Sequence, residues 1–397
     1  MKKIILLSLL FVFSFLFSQA QSEKNQGINF RELTFDQAIA QSKVEHLPVF
    51  VHGFASWCHF CEFMKDSIYT DKEVGEFYNK NFISIKLDLE KEGKDLNKRL
   101  RASSFPQLVF YDSTGEVLHR VAGQKQKYSF LQVGKDALDP LKRFQTYEVK
   151  YKTGKLSDDE APIYFRLLSG AAIEFQPTIN NYLMRIPDSS FTSVNTWRII
   201  NEFLREVDMP AMTRFMQRRT DFALKYTADS IDNRILSNYN GSLMTLVQKL
   251  DTLTYNSMLQ KLEVSKFDLA PKIIAYATIS KYKLKSEWEE YQKLAPSFVE
   301  TYCKTDHRRM NEVVFTLYER GQGTAILEQC EGWSKKCVAM VDNFKYNSTY
   351  ASILYKLGKK DEALKTINHA LELGTKVGAD LKQASLLREK IQEMPSK

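Results

Sequence analysis

The sequence predicts two architectures in series. An α/β domain with a central sheet flanked by helices spans residues 21–152, and an all-α helical-repeat domain spans 153–397. Three observations carry this reading. The first half alternates apolar strand patterns with capped helical stretches. After about Lys152 no alternating strand pattern recurs, and helical patterns follow one another, punctuated by Pro177, Pro187, Pro210 and Pro271. Near the C-terminus, Leu317-Tyr-Glu-Arg-Gly321 returns as Leu354-Tyr-Lys-Leu-Gly358.

The first residues set the compartment. Lys2 and Lys3 precede an apolar run, Ile4 to Phe17, broken only by serines, and Ser18-Gln19-Ala20 supplies small residues at a cleavage site. That layout is a secretory signal over residues 1–20. The run is short of the ~20 apolar residues a membrane span needs. The mature chain is therefore expected to be exported, periplasmic or secreted, with no membrane span after cleavage.

Within the first domain, Thr34-Phe-Asp-Gln37 is a capping box opening a helix through about Ser42. Leu47 to Ala55 is a buried strand, and a helix follows from Cys58. Thr70-Asp-Lys-Glu73 opens another helix, with Val74, Phe77 and Tyr78 as its apolar stripe. Phe82 to Asp88 alternates as a second strand. Leu108 to Tyr111 and Val117 to Val121, joined by Asp112-Ser-Thr-Gly115, form a β-hairpin. Ser129 opens a closing helix expected to turn Leu131, Leu138 and Leu141 inward. Thr153 to Glu160 is a polar junction.

In the second domain the repeated phrase aligns Leu327 with Leu364, Cys330 with Ile367 and Trp333 with Ala370. Ala351, Ala363, Ile367 and Ala370 are the small and apolar residues a helix–turn–helix repeat uses where its two helices touch. The stretch resembles a tetratricopeptide repeat, although it lacks the proline that usually closes that unit.

Charge excludes some functions. The net charge is +8, two of these charges lie in the signal, and the rest are spread along the chain. Pairs such as Arg218-Arg219 and Arg308-Arg309 are solvated helix faces rather than a phosphate track. Nucleic acid is not an expected partner.

Five cysteines are present, at 58, 61, 303, 330 and 337. Cys330 and Cys337 are separated by ~10.5 Å of helical rise, beyond the ~7 Å that a disulfide spans. Unless the helix breaks near Gly332, they are core residues, and a pairing of either with Cys303 stays open.

Cys58-His-Phe-Cys61 carries the chemistry. Zinc sites share its spacing, but here a buried strand runs through Ala55-Ser-Trp57 into a helix that starts at the first cysteine. The free N–H groups and positive dipole end of that helix stabilise a thiolate. Residues three apart on a helix are close enough to form a disulfide. The outer sulfur can attack a substrate disulfide and the inner one can resolve the mixed disulfide. His52 and His59 are also metal-capable, but strand alternation and the outward position of His59 argue against four converging ligands. No metal and no cofactor are expected beyond the redox-active disulfide itself.

Over about residues 30–145 the chain resembles the thioredoxin superfamily. The resemblance rests on Trp57-Cys58-His-Phe-Cys61, on Lys86-Leu-Asp88 in the next strand, and on Phe105-Pro106 before the hairpin. It implies Cys58 as nucleophile, Cys61 as resolving thiol, Trp57, Phe105 and Pro106 as the substrate-facing rim, and a cis Pro106 facing the cysteines. Three places depart from the family. His52 stands where a buried acid often sits, and is a candidate for proton transfer with His59 and Lys86 as further tuning groups. His59-Phe60 replaces Gly-Pro. Gln107 follows the proline where threonine is common.

The expected function is an exported thiol–disulfide oxidoreductase acting on protein thiols and disulfides, its helical domain presenting substrates or a partner. The alternative is a non-catalytic envelope scaffold in which the helical repeats bind and the first domain is structural.

Overall fold

The computed structural model describes residues 27–395. The signal segment and its cleavage site at Ala20 lie outside them. The described residues divide into two compact units, with the boundary between Lys225 and Tyr226.

The first unit begins with α1 (Phe35–Glu45), β1 (Val49–Phe54) and α2 (His59–Phe63). A π-helical turn (Met64–Ile68), α3 (Lys72–Asn81), β2 (Ile83–Asp88) and α4 (Lys94–Leu100) follow. The hairpin β3 (Gln107–Tyr111) and β4 (Val117–Ala122) leads into α5 (Lys127–Leu138). The strand order is β2-β1-β3-β4. β1 pairs parallel to β2, and β3 pairs antiparallel to both β1 and β4. Period-two alternation sends Phe50, Leu108 and Phe110 to one face and Val49, Val51, Val109 and Tyr111 to the other, and helices cover both faces.

One face is filled by aromatics. Tyr78 and Phe130 stack with centroids 4.3 Å apart, and Phe50 stacks on Phe110 at 5.0 Å. Gly134 lets α5 approach so closely: a Cβ there would stand 2.7 Å from a Phe77 ring carbon and 3.0 Å from the Tyr78 hydroxyl.

Local chemistry sets the element ends. The capping box at Thr34 is formed, its hydroxyl accepting from Gln37 N–H while the Gln37 side chain accepts from Thr34 N–H. For α3 the expected cap is shifted by one residue. Asp71 accepts from Val74 N–H, and Thr70 instead donates to the Asp66 carbonyl. A carboxylate at this end also meets the helix dipole, and Lys127 secures it at 2.9 Å.

α5 begins at Lys127 rather than Ser129, and its inward face is Phe130, Leu131, Val133, Gly134 and Ala137. Leu138 and Leu141 are 38% and 76% exposed, because the helix ends at Leu138 and the chain turns away. α4 has no counterpart in the sequence reading. Its Lys94-Asp-Leu-Asn-Lys-Arg-Leu100 buries only Leu96 and Leu100.

The composition change near Lys152 coincides with the end of α6 (Phe144–Lys152), but contacts carry the first unit further. α7 (Ala161–Gly170), α8 (Gln176–Arg185), α9 (Val194–Phe203), α10 (Pro210–Gln217) and α11 (Arg219–Lys225) belong to the same compact unit as the sheet.

The second unit, as described, is helical throughout: α12 (Ala228–Gln248), α13 (Thr252–Val264), α14 (Ala270–Leu284), α15 (Trp288–Tyr302), α16 (His307–Arg320), α17 (Thr324–Met340), α18 (Phe344–Lys356), α19 (Lys360–Lys376) and α20 (Lys382–Gln392). The repeated Leu-Tyr-x-x-Gly phrase ends α16 and α18, the first helices of two successive pairs. Cys330 and Ile367 occupy matching buried positions, as do Trp333 and Ala370. α17 runs unbroken through Gly332, so Cys330 and Cys337 lie on one helix. Together with Cys303 they are free, buried thiols of a single core cluster. Burial pushes each of them up to about 12, which makes them poor nucleophiles.

Candidate active site at the Cys58–Cys61 disulfide

β1 delivers the chain to Ala55, and Cys58 caps α2. The Cys58 sulfur accepts the Cys61 N–H at 3.1 Å, a first-turn N–H that it shares with the Cys58 carbonyl at 3.0 Å. Cys58 and Cys61 are joined, with Cα atoms 5.3 Å apart. Both residues are buried, at 4% and 3% exposure, in a small cluster with Phe54, Ala55 and Phe105.

The Phe105–Pro106 peptide is cis. Phe105 packs against the cysteine cluster and meets the Trp57 ring edge-on at 5.7 Å. Trp57 is 68% exposed, yet its indole N–H donates to Glu90 at 2.9 Å. Phe60 is also exposed. The disulfide is thus buried against Phe105, whose ring in turn meets the exposed Trp57.

His52 lies on β1, on the face that carries Phe50. It is fully buried and its Nδ1 is 2.6 Å from the Tyr69 hydroxyl. Its ring stacks against Phe54, which packs on the cysteine pair. Burial, helped by the Lys86 charge, lowers its pKa to about 3. The Tyr69 hydroxyl is raised by burial. Both groups are therefore neutral around neutrality, and when Tyr69 donates, the imidazole proton sits on Nε2. A base this weak takes a proton from a thiol less readily than a free imidazole does.

Lys86 stands opposite His52 in the β1–β2 register, with its ammonium 4.4 Å from the Phe30 ring centre. Burial lowers its pKa. His59 is exposed beside Phe60. Glu62 is exposed and pairs with Lys65 at 3.2 Å. His52 and His59 do not converge on the cysteines as ligands. Among the described residues no three His, Cys, Asp or Glu side chains gather as a metal cradle.

Three further residues contribute that local spacing does not single out. Tyr69 meets His52 across the helix–strand interface, and nothing in local spacing signals that pairing. Glu90 anchors Trp57 from the loop after β2. Arg120 on β4 is buried beside Gln107, and its only sequence signal is a fixed charge inside a mostly apolar strand.

A cysteine pair at a helix start, after a buried strand and beneath a cis-proline loop, defines the thioredoxin class of thiol–disulfide sites. Residues 35–138 match the family model of the thioredoxin-like domain. Spermatogenesis-associated protein 20 of Rattus norvegicus is 34% identical over 62 residues, covering 16% of this chain and 8% of that protein. The disulfide bond reductase DsbH of Chlamydia pneumoniae is 25% identical over 112 residues, covering 25% of this chain and 68% of that protein. The solution structure of a proposed disulphide-isomerase from Bacteroides thetaiotaomicron shares 34% identity, covering 28% of this chain and 94% of that one, with a TM-score of 0.27. The chain thus spans less than a tenth of the first of these relatives. Residues 35–138 belong to the thioredoxin-like domain family, and the joined cysteine pair supports thiol–disulfide oxidoreductase chemistry at the level of that family.

Proposed function

We propose that the protein is an exported thiol–disulfide oxidoreductase acting on protein substrates through Cys58 and Cys61. The observation that carries this is the geometry of the pair: joined, its first sulfur accepting a helix N–H, and buried against Phe105 of the cis Phe105–Pro106 peptide. In the reducing direction the Cys58 thiolate attacks one sulfur of a substrate disulfide. A Cys58–substrate disulfide forms and the other substrate sulfur leaves as a thiolate. The Cys61 thiolate then attacks the Cys58 sulfur, closing the 58–61 disulfide and releasing the second substrate thiolate. Two electrons pass from the protein to the substrate, and the reverse sequence oxidises a substrate dithiol.

His52 acts in this reading as a neutral hydrogen-bonding group behind the pair, with Lys86 as its electrostatic neighbour, while His59 tunes the outer sulfur from the solvent side. The tetratricopeptide-like helical region presents substrates or a protein partner. Export rests on Lys2-Lys3, the Ile4–Phe17 run and Ser18-Gln19-Ala20. Among the described residues no helix is long and apolar enough to cross a membrane.

The test is insulin reduction by the wild type and by Cys58→Ser and Cys61→Ser. The wild type should be active, both variants inactive, and Cys61→Ser should accumulate mixed disulfides on Cys58. A wild type that exchanges no disulfide with any standard partner supports the scaffold alternative. The mature N-terminus, read by mass spectrometry from a periplasmic or secreted fraction, tests export: it should begin at Gln21, and a retained Met1 overturns this part of the reading.

A further inference from the structure

Arg120 is 5% exposed and Gln107 fully buried. Arg120 stands opposite Val109 across the β3–β4 hairpin, which puts Gln107, two residues before Val109, on the same face. Among the described residues the guanidinium has three oxygen partners, none of them a carboxylate, and its Nε is buried without one. Nη1 donates to the Leu100 carbonyl at 2.9 Å, and Nη2 donates to the Gln107 side-chain oxygen at 3.0 Å and reaches the Ala171 carbonyl at 3.5 Å.

A buried cation without a counter-ion is costly, so the placement needs an explanation. Leu100 is the last residue of α4 and Ala171 caps the C-terminus of α7. The guanidinium therefore sits at the negative ends of two helix dipoles, which replace the missing carboxylate. Its fixed fork spans acceptors that a single ammonium cannot hold together.

Its third partner makes the arrangement more than structural. Gln107 immediately follows the cis Phe105–Pro106 peptide, and its side-chain Nε2 donates back to the Ser104 carbonyl at 2.8 Å. Ser103, in the same loop, donates to the Ala172 carbonyl just beyond α7 at 2.9 Å. The Ser103–Gln107 loop, whose Phe105 packs on the cysteine pair, is thereby tied at two points to the end of α7.

We infer that Arg120 is a positioning residue for disulfide exchange: through Gln107 it fixes the cis-proline loop opposite Cys58 and Cys61, and makes helix α7 a structural part of the substrate-docking site. This rests on the exchange reading above. Arg120 touches neither the sulfurs nor the substrate. Its effect falls on how well the loop receives a polypeptide, and not on the intrinsic redox equilibrium of the pair.

The experiment compares full-length wild type with Arg120→Met, Arg120→Lys, Gln107→Met and the Arg120→Met/Gln107→Met double variant. Two quantities are read: insulin-reduction kinetics, and the equilibrium of the 58–61 pair with glutathione. Misplacing a docking loop by about an ångström costs between tenfold and a hundredfold in rate. Arg120→Met and Gln107→Met should each lose about tenfold in kcat/KM, chiefly through a higher KM, with the glutathione equilibrium unchanged within about twofold. Arg120→Lys should recover only part of the loss, and the double variant should be no worse than the poorer single one, because both act through one contact.

Wild-type insulin kinetics in Arg120→Met, or losses that multiply in the double variant, overturn the inference. So does a shift in the glutathione equilibrium that matches the kinetic loss. Should Arg120→Met not fold, Arg120→Lys and Gln107→Met decide by the same criteria. A wild type that reduces nothing removes the exchange reading itself, whereas an active wild type with unaltered variants removes only the role given to Arg120.

Discussion

Acid should destabilise the sheet-containing unit through two buried histidines. His52 lies against Tyr69 and Phe54, and its pKa is lowered to about 3 by burial and by the Lys86 charge. His119 is lowered to about 4 by burial, with Asp136 opposing, and its Nδ1 accepts the Phe144 N–H at 3.1 Å, a bond that protonation there would break. In both cases the folded pKa lies below the unfolded value of ~6.5. Below that value the unfolded chain binds protons that the folded chain refuses, so stability rises with pH and falls as pH drops from ~6.5 toward the folded pKa. At about pH 4.5 His52 and His119 each cost on the order of 2–3 kcal/mol relative to pH 7. Together these are a large share of the ~5–15 kcal/mol typical of a folded domain. The perturbation is His52→Gln, which keeps a polar partner for Tyr69 and cannot titrate. Hydrogen exchange of the peptide covering β1, at about pH 7 and about pH 4.5, reports the opening free energy of this unit in the full chain. The wild type should lose roughly 2–3 kcal/mol more than His52→Gln across that interval. Carboxylates contribute equally to both proteins and cancel. Equal losses would refute the assignment of His52 as a buried neutral imidazole.

The remaining predictions address single contacts. Glu90→Ala releases the Trp57 indole, so Trp57 fluorescence anisotropy should fall and KM for insulin should rise a few-fold, while the glutathione equilibrium stays put; an unchanged anisotropy counts against Glu90 as the anchor. Gly134→Ala should destabilise the first unit although alanine is the better helix former by ~1 kcal/mol, because the new Cβ meets Phe77 at 2.7 Å and overpacking costs ~1–3 kcal/mol. Denaturation midpoints decide the sign. Asp71→Ala removes the α3 cap and should cost about 1 kcal/mol, whereas Thr70→Ala should be nearly neutral; the reverse order would restore Thr70 as the cap. Alkylation of the native protein after reduction should label Cys58 and leave Cys303, Cys330 and Cys337 unmodified until it unfolds.

Local signals were legible where local physics decides. The Thr34–Gln37 box, the β1 apolar run and the Asp112–Gly115 turn each act within a few residues, and each stands where the pattern puts it. The Cys58–Cys61 pairing belongs to this group, since three residues at the start of a helix bring two sulfurs together. α4 was not legible, because a seven-residue helix that buries two leucines is held by the sheet under it and barely by its own sequence. Leu138 and Leu141 depart from the inward stripe that the pattern predicts for a related reason. A periodic stripe continues in sequence after the helix has ended, and only the fold says where it ends.

What the sequence could not show is how distant residues complete the site. Tyr69 reaches His52 and Glu90 reaches Trp57 only once helix, strand and loop have met. Arg120 is the sharpest case. Its place in the β4 pattern, between His119 and Val121, marks it as an anomaly: a cation where a sheet interior wants an apolar residue. The partners that resolve the anomaly come from 13, 20 and 51 residues away. Two of them are carbonyls, which exist in every residue and therefore leave no trace in sequence. A buried charge satisfied by helix ends is thus visible from sequence only as an unexplained residue. Here the explanation runs through Gln107 to the loop that faces the cysteines.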